Sequence, residues 1–396
     1  MMNYLKSSTM NKRLSNVVFS RCRRSISSSA ISIKSSSSAS ATAMPKKEDL
    51  EFGTTFSPHM LTISYSNNEW SAPEIVPYGP LSISPAASCL NYGTTCFEGM
   101  KAYKSLSGGD DGENDNDDSI RLFRPDCNME RLSSSMERLS LPGHDFDKDE
   151  LIKCIMKLID IDRDWIPEGE GYSLYLRPNV IAMSKNLGLA NPESLLLYVV
   201  TSPVGPYYKS GFKPVRLLCE TEHVRAAIGG TGGFKVGGNY APTMLPAKEA
   251  AMKGYNQVLW LLDGHITEVG AMNIFFVFDL GDGKREIVTP PLTRGDILPG
   301  VTRRSIIELA QGWDDCVMSE RNVTMDEVEA AVKEGRIMEA FGAGTAAVVA
   351  PIECINYKGE DLEIPATGSI TQKVWDSLIG IQYGKTEHPW SVKVDV

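Results

Sequence analysis

At 396 residues the chain exceeds what one hydrophobic core usually serves, so two domains are expected. Its composition, 42% hydrophobic and 23% charged, is that of a globular protein. No apolar run approaches the ~20 residues that a bilayer-spanning helix needs, and a formal charge of −10 argues against a nucleic-acid partner.

Residues 1–44 carry Lys6, Lys12, Arg13, Arg21, Arg23, Arg24 and Lys34, dense serine and no acidic residue. This is the composition of a disordered organellar transit peptide, with the mitochondrion as first choice and the plastid as the alternative. Without those seven charges the remainder stands at −17. Residues 45–202 are expected to form a small N-terminal domain, its fold starting near Phe52. Inside it the acidic stretch 106–119 reads as a solvated hairpin tip with no chemistry of its own. Ile120 to Phe123 follows as a strand, then Asp126 to Leu139 as a helix with Met129, Leu132, Met136 and Leu139 on one face. An Asp147/Glu150 capping box opens a second helix that runs to Trp165 and turns Leu151, Ile155, Leu158 and Ile159 inward. Strands are predicted at Tyr172 to Arg177 and Leu195 to Thr201.

The proline- and glycine-rich stretch 203–211 breaks every pattern and is taken as the interdomain loop. Residues 212–396 then form a larger C-terminal domain. Its strands fall at Val215 to Cys219, Gln257 to Leu262, Ile274 to Phe278 and Glu286 to Thr289. Its helices fall at Thr302 to Gln311, Met325 to Lys333 and Ile370 to Ile381, and Thr324 suits an N-cap. Elements come in groups joined by short links, without the alternation of a doubly wound sheet, so the class is α+β.

Chemistry is concentrated in the run from Gly229 to Tyr240, GGTGGFKVGGNY. Glycine at this density weakens helix and strand but permits close backbone approach, here around a single lysine, Lys235. An amine on a flexible stem shifts its pKa when desolvated and forms a Schiff base with a carbonyl compound, for which pyridoxal phosphate is the leading candidate. Such a site also needs an acid for the pyridine nitrogen, and Glu268 at a strand-to-turn junction suits it; the plainer alternative is an exposed turn residue. It needs phosphate holders as well. Leu298 to Thr302 leads into a helix N-terminus, and Phe341 to Ala346 reads as a second small-residue turn; each is also compatible with an ordinary turn. Arg131 joins them only if the fold brings its helix near. The eight cysteines lack C-x-x-C spacing, the five histidines are dispersed, and neither a P-loop nor a G-x-S-x-G elbow occurs.

From about Phe52 onward the chain resembles the branched-chain amino acid aminotransferases of the fold-type IV pyridoxal phosphate class. The segments that carry the resemblance include FGTTFSPHM, LNYGTTCFEGMKAY, SLYLRP, GGFKVGGNYAPT, TEVGAMNIF, ILPGVTR and FGAGTA. The resemblance implies a two-domain fold with the cofactor between a smaller N-terminal α/β domain and a larger C-terminal one. It implies Lys235 as Schiff-base lysine and proton shuttle, Glu268 at the pyridine nitrogen, Tyr240 beside the amine, and Arg131, Val301, Thr302 and Thr345 around the phosphate. An apolar cage follows at Phe52, Tyr92, Phe97, Tyr175, Leu187, Leu189 and Tyr207, with Arg177 for the acidic co-substrate and the Ala346 N–H for the substrate carboxylate. Tyr92, Leu187 and Leu189 are implied to come from a partner subunit, hence a homodimer. The implied activity is exchange of an amino group between leucine, isoleucine or valine and 2-oxoglutarate, in synthesis or breakdown of these amino acids. Other fold-type IV activities, a D-amino acid aminotransferase or an aminodeoxychorismate lyase, are the nearest alternatives. Ala347 and Ala350 stand where mammalian members carry a C-x-x-C pair, which excludes redox control through it, and Ala271 stands where some animal members have a hydroxyl residue.

Overall fold

The computed structural model describes residues 25–34, 44–106, 118–206, 213–365 and 368–395. Two sheets organise it. The first has ten strands, its main path running Ser32–Ile33, Glu74–Pro77, His59–Ser66, Leu195–Val204, Ser173–Ala182, Met100–Lys104, Ile120–Phe123 and Ser391–Lys393. The second has nine, in the order His265–Val269, Gln257–Leu262, Val215–Glu220, Val348–Tyr357, Ile337–Gly344, Met272–Gly281, Lys284–Thr289 and Cys316–Glu320 along its path. An additional pairing of His265–Val269 with Met272–Gly281 closes six of these strands into a ring. The predicted α+β class holds. No helix among the described residues is long and apolar enough to cross a membrane.

The helices form where periodicity and caps agree. Pro125–Arg138 and Lys148–Ile161 lie against the first sheet, with Met129, Leu132, Met136, Leu151, Ile155, Leu158 and Ile159 fully buried. The Asp147 side chain caps the second helix by accepting from the Glu150 N–H at 3.1 Å, and Thr324 caps Met325–Lys333 in the same way at 3.2 Å. The helix predicted to reach Trp165 instead ends at Ile161, and a 3₁₀ turn covers Arg163–Trp165. Val301–Ala310 and Ser369–Gln382 pack on the second sheet, around Phe275, Phe341, Ile306 and Leu378. That cluster also takes in Tyr103 and Phe123 from the first sheet, so one apolar seam joins the two units.

Three expectations need correction. Residues 25–34 fall inside the segment expected to be disordered, yet Ile26 is 1% exposed in the first core and Ser32–Ile33 pairs in parallel with Glu74–Pro77. An isoleucine and a strand edge supply what the basic, serine-rich composition concealed. The C-terminal strand Ser391–Lys393, assigned by position to the second domain, pairs antiparallel with Ile120–Phe123 in the first sheet. Phe341 to Gly344, expected as a turn, completes the strand Ile337–Gly344, because its small residues pack against Met272 and Val269 of the neighbouring strands. The acidic tip 107–117 and Tyr207 lie outside the described residues, although the strands flanking the tip pair as an antiparallel hairpin.

Candidate active site

Lys235 is fixed by its backbone before its side chain is considered. Its N–H donates to Ser135 Oγ on helix Pro125–Arg138 at 2.9 Å, and its carbonyl accepts from the Phe97 N–H at 3.1 Å. The glycines around it serve mainly to let this loop pack. A Cβ on Gly232 would lie 2.5 Å from the Asp296 carbonyl, and one on Gly237 would meet Thr95. Of the glycines in the run, only Gly237 lines the cavity that Lys235 enters. Tight backbone contact, rather than open space at the amine, accounts for Gly230, Gly232 and Gly233.

That cavity has a volume of about 410 Å³. Lys235 Nζ lies 3.1 Å from the Tyr240 hydroxyl and 4.9 Å from the centre of the Phe97 ring. No carboxylate pairs with it among the described residues. Burial first, then the positive charge of Arg131, lowers its amine to about 8. The Tyr240 hydroxyl moves the other way, pushed up to about 12 by burial and then by Glu268. An amine that is part neutral near neutral pH, beside a phenol that keeps its proton, suits proton transfer.

Glu268 is the penultimate residue of strand His265–Val269 and is 3% exposed, not the exposed turn residue of the plainer reading. It faces a smaller adjoining cavity of about 140 Å³, which shares Tyr240, Gln257, Ala271 and Leu298 with the first. Its carboxylate accepts from the Leu298 N–H at 2.7 Å and lies 3.2 Å from Arg225 Nε. Burial raises its carboxyl, against the opposing pull of Arg225 and of the Leu298 N–H.

The anion end is assembled by the same loop. Asn273 Nδ2 donates to the Leu298 carbonyl at 2.9 Å, so Leu298 is held at both its N–H and its C=O. Gly300 is the N-cap of Val301–Ala310 and provides no side-chain cap, which leaves the first amides of that helix free toward the cavity. Val301, Thr302 and Thr345 line it, as does Arg131, which is buried rather than solvated.

Arg131 has a partner that was not singled out from the sequence. Glu98, fully buried, accepts from Arg131 Nε at 2.7 Å and from Nη2 at 2.8 Å, while Arg131 Nη1 donates to the Pro299 carbonyl at 2.9 Å. Burial works to raise the Glu98 carboxyl, but Arg131 prevails and holds it below the usual range. A charged residue inside the apolar run CFEGM was the available signal. Arg225 had none comparable, because nothing in HVRAA shows that its side chain reaches Glu268.

The remaining predicted residues divide. Phe52, Phe97, Tyr175, Arg177 and Ala346 line the cavity with Lys235. Phe52 meets Tyr175 edge-on at 4.8 Å, and Arg177 donates to the Tyr175 hydroxyl at 3.1 Å while lying over Phe97. Tyr92, Leu187 and Leu189 do not enter it. All three are exposed, and the Tyr92 hydroxyl donates to the Leu187 carbonyl.

A family profile described as amino-transferase class IV matches residues 95–355. The branched-chain-amino-acid aminotransferase of Dictyostelium discoideum is 51% identical over 355 residues, covering 88% of this chain and 91% of its own length. The mitochondrial one of Schizosaccharomyces pombe is 48% identical over 364 residues, covering 88% and 82%; cytosolic counterparts match as well. Among solved structures, the branched-chain aminotransferase of Thermoproteus uzoniensis with norvaline superposes with a TM-score of 0.67 at 26% identity, covering 85% of this chain and 100% of its own. A lysine amine, a free helix N-terminus and an apolar wall thus meet in one cavity, a buried acid faces the smaller cavity beside it, and the chain belongs to the branched-chain-amino-acid aminotransferases of amino-transferase class IV.

Proposed function

We propose that the protein exchanges an amino group between L-leucine, L-isoleucine or L-valine and 2-oxoglutarate, with pyridoxal 5′-phosphate as the carrier. The observation that carries the reading is the desolvated Lys235 amine, without a carboxylate partner among the described residues, in a cavity shared with Arg131, Thr302 and Phe97. The residues fit the cofactor on chemical grounds. The uncapped helix at Val301 and the Arg131 guanidinium match a phosphate, and the buried Glu268 matches a ring nitrogen. When bound, the cofactor supplies an electron sink that stabilises a carbanion at the substrate Cα.

The chain's own residues do the rest. Lys235, brought to about 8, takes a proton from one carbon and returns it at another, with the Tyr240 hydroxyl holding Nζ in place. Phe52, Phe97 and Tyr175 present the apolar wall that an aliphatic side chain requires. Arg177, held by the Tyr175 hydroxyl, offers the cation that the second carboxylate of 2-oxoglutarate or glutamate requires. Borohydride trapping of the cofactor followed by peptide mapping is expected to label Lys235. Turnover of L-leucine with 2-oxoglutarate, and none of D-alanine, is expected; the reverse preference would place the chain among other fold-type IV activities.

Three further readings belong with this one. The exposed Tyr92, Leu187 and Leu189 form a patch that a second copy covers, completing the cage in a homodimer. The chain divides into a small domain, 45–202, and a large one beginning at 212, with the last strand returning to the first. The basic N-terminus directs the protein to the mitochondrion, the plastid being the alternative, and the leader ends before Ser25. The last point is supported by Ile26, by Ser28, whose N–H and hydroxyl both donate to Glu150 at 2.7 Å, and by the Lys34–Glu74 ion pair.

A further inference from the structure

Lys101 sits on strand Met100–Lys104, 6% exposed, and the chemistry above has no use for it. Among the described residues no carboxylate pairs with its amine, and Nζ makes one hydrogen bond, donating to the Ala346 carbonyl at 2.8 Å. A lysine head carries three N–H groups, so two are left without an acceptor inside the protein. Burial draws the amine down to about 8, which still leaves it mostly charged at neutral pH. A charged head taken out of water without a counter-ion is unfavourable, and its retention calls for a reason.

The amine borders a space of its own. Lys101 lines a cavity of about 180 Å³ and does not line the 410 Å³ cavity that Lys235 enters. The two cavities have Ala346 and Ala347 in common, so the loop between strands Ile337–Gly344 and Val348–Tyr357 forms the wall between them. The rest of the smaller cavity is largely apolar. Tyr103 and Tyr383 meet edge-on at 4.9 Å, with Val349 and Ile379 beside them. The Tyr383 hydroxyl is already committed, donating to the Tyr172 carbonyl at 2.7 Å.

A second polar side chain there is unsatisfied. Gln382, 4% exposed, ends helix Ser369–Gln382 and lines the cavity, and its Oε1 has no hydrogen-bond partner. Buried polar groups are nearly always paired, so a lone cation and a lone amide around one cavity point to an occupant. The acid on the lining, Glu170, is not the missing counter-ion. It is about half exposed and pairs with Lys385 at 2.7 Å.

We propose that this cavity is a second ligand site, which takes a short-chain monocarboxylate. The carboxylate pairs with the two remaining N–H groups of Lys101, and the aliphatic end lies among Tyr103, Val349 and Ile379. Size sets the chain length. A cavity of ~150 Å³ takes up benzene, so 180 Å³ holds about six to eight heavy atoms. A dicarboxylate is excluded, because Lys101 is the one cation among the lining residues. The site is independent of the transaminase reading, which uses neither Lys101 nor Gln382.

The test is calorimetric titration of the full-length holoenzyme with 2-methylpropanoate, and with 2-methylpropanamide as a neutral probe of the same size. The enzyme is first treated with leucine and borohydride, so that a leucine–cofactor adduct fills the active cavity. Saturable binding of one carboxylate per chain is expected, with the amide weaker by roughly 10-fold or more, the range for a hydrogen bond to a charged group. Lys101→Met is expected to abolish that preference. No saturable binding, equal affinity for the two probes, or carboxylate affinity unchanged in Lys101→Met overturns the proposal. If Lys101→Met does not fold, a crystal of the treated wild-type enzyme soaked in 2-methylpropanoate decides: density against Lys101 supports the site, and its absence refutes it. Failure of leucine to form the adduct counts against the transaminase reading alone. The same titrations are then run on the untreated chain, where binding that survives Lys235→Met and is lost in Lys101→Met supports the site, and the converse refutes it.

Discussion

Replacing Glu98 is the sharpest probe of how the anion end is built. The carboxylate is fully buried and takes two hydrogen bonds from Arg131, which is itself 8% exposed. In Glu98→Leu the guanidinium keeps only the Pro299 carbonyl among its described partners, and its charge stays buried. Breaking one side of a buried pair costs about 3–5 kcal/mol. With a urea dependence of about 1–3 kcal/mol per molar, the unfolding midpoint should fall by on the order of 1 M or more. The measurement is urea unfolding of cofactor-free protein, followed by tryptophan fluorescence, so that a bound phosphate does not compensate the loose guanidinium.

The double variant makes the reasoning refutable. Arg131→Met strands the Glu98 carboxylate with Asn128 and the Gly99 N–H as its remaining donors, and a loss of similar size is expected. Removing both charges together replaces the pair by apolar side chains, which is often close to neutral. The double variant should therefore be more stable than either single one, with a coupling energy of about 2 kcal/mol or more. Additive losses, or a Glu98→Leu cost below about 1 kcal/mol, would show that the pair is solvated in solution and that the buried geometry is not what fixes Arg131.

Three other outcomes follow from the same structure. Lys235→Met should lower kcat by about 10²-fold or more, the scale of a lost general base, while leaving the fold intact by circular dichroism. Deleting residues 1–24 should leave the unfolding midpoint unchanged, whereas deleting 1–34 should cost about 2 kcal/mol, because Ile26 and the two Ser28 bonds to Glu150 are lost against the entropy of ordering ten residues. Lys235 and Lys101 are both lowered from 10.5 to about 8 on folding, so between those values the unfolded chain binds more protons and cofactor-free stability should rise with pH. Lys101→Met should reduce that slope by up to about 1.4 kcal/mol per pH unit, and an unchanged slope would mean that the Lys101 amine is not desolvated.

Local pattern carried much of the architecture. Ile120–Phe123, Gln257–Leu262 and Met325–Lys333 occur at the predicted bounds, because apolar period and flanking caps agree there. Met244–Met252 and Val348–Tyr357 were not anticipated; the first exposes Met244, Leu245 and Met252, and the second is a long buried run without alternation. Lys235, Tyr240, Thr302 and Thr345 were legible through glycine, helix start and resemblance. Glu98, Arg225 and Lys101 were not, for a shared reason. Each acts through a partner far away in sequence, Arg131, Glu268 and Ala346 respectively, and one sequence contains no record of such distances. The Ser25 to Lys34 segment failed for the opposite cause, since one buried isoleucine outweighs a composition that is otherwise that of a leader.

Long-range polar contacts also explain how a cavity between two sheets keeps its shape. The apolar seam of Tyr103, Phe123 and Phe275 supplies attraction, which is non-directional and leaves the sheets free to slide by small amounts. Direction comes from cations of the first unit that end on polar atoms of the second. Arg131 reaches the Pro299 carbonyl, Lys101 the Ala346 carbonyl, and Arg124 both Ser305 and Glu308. Of these anchor points, Ala346 lines the cavity itself and Pro299 lies between Leu298 and Gly300, which line it. A small slide between the sheets would thus displace both of these parts of the cavity wall at once. Substitutions at the three cations are accordingly expected to alter substrate affinity more than overall compactness, which separates them from substitutions in the seam.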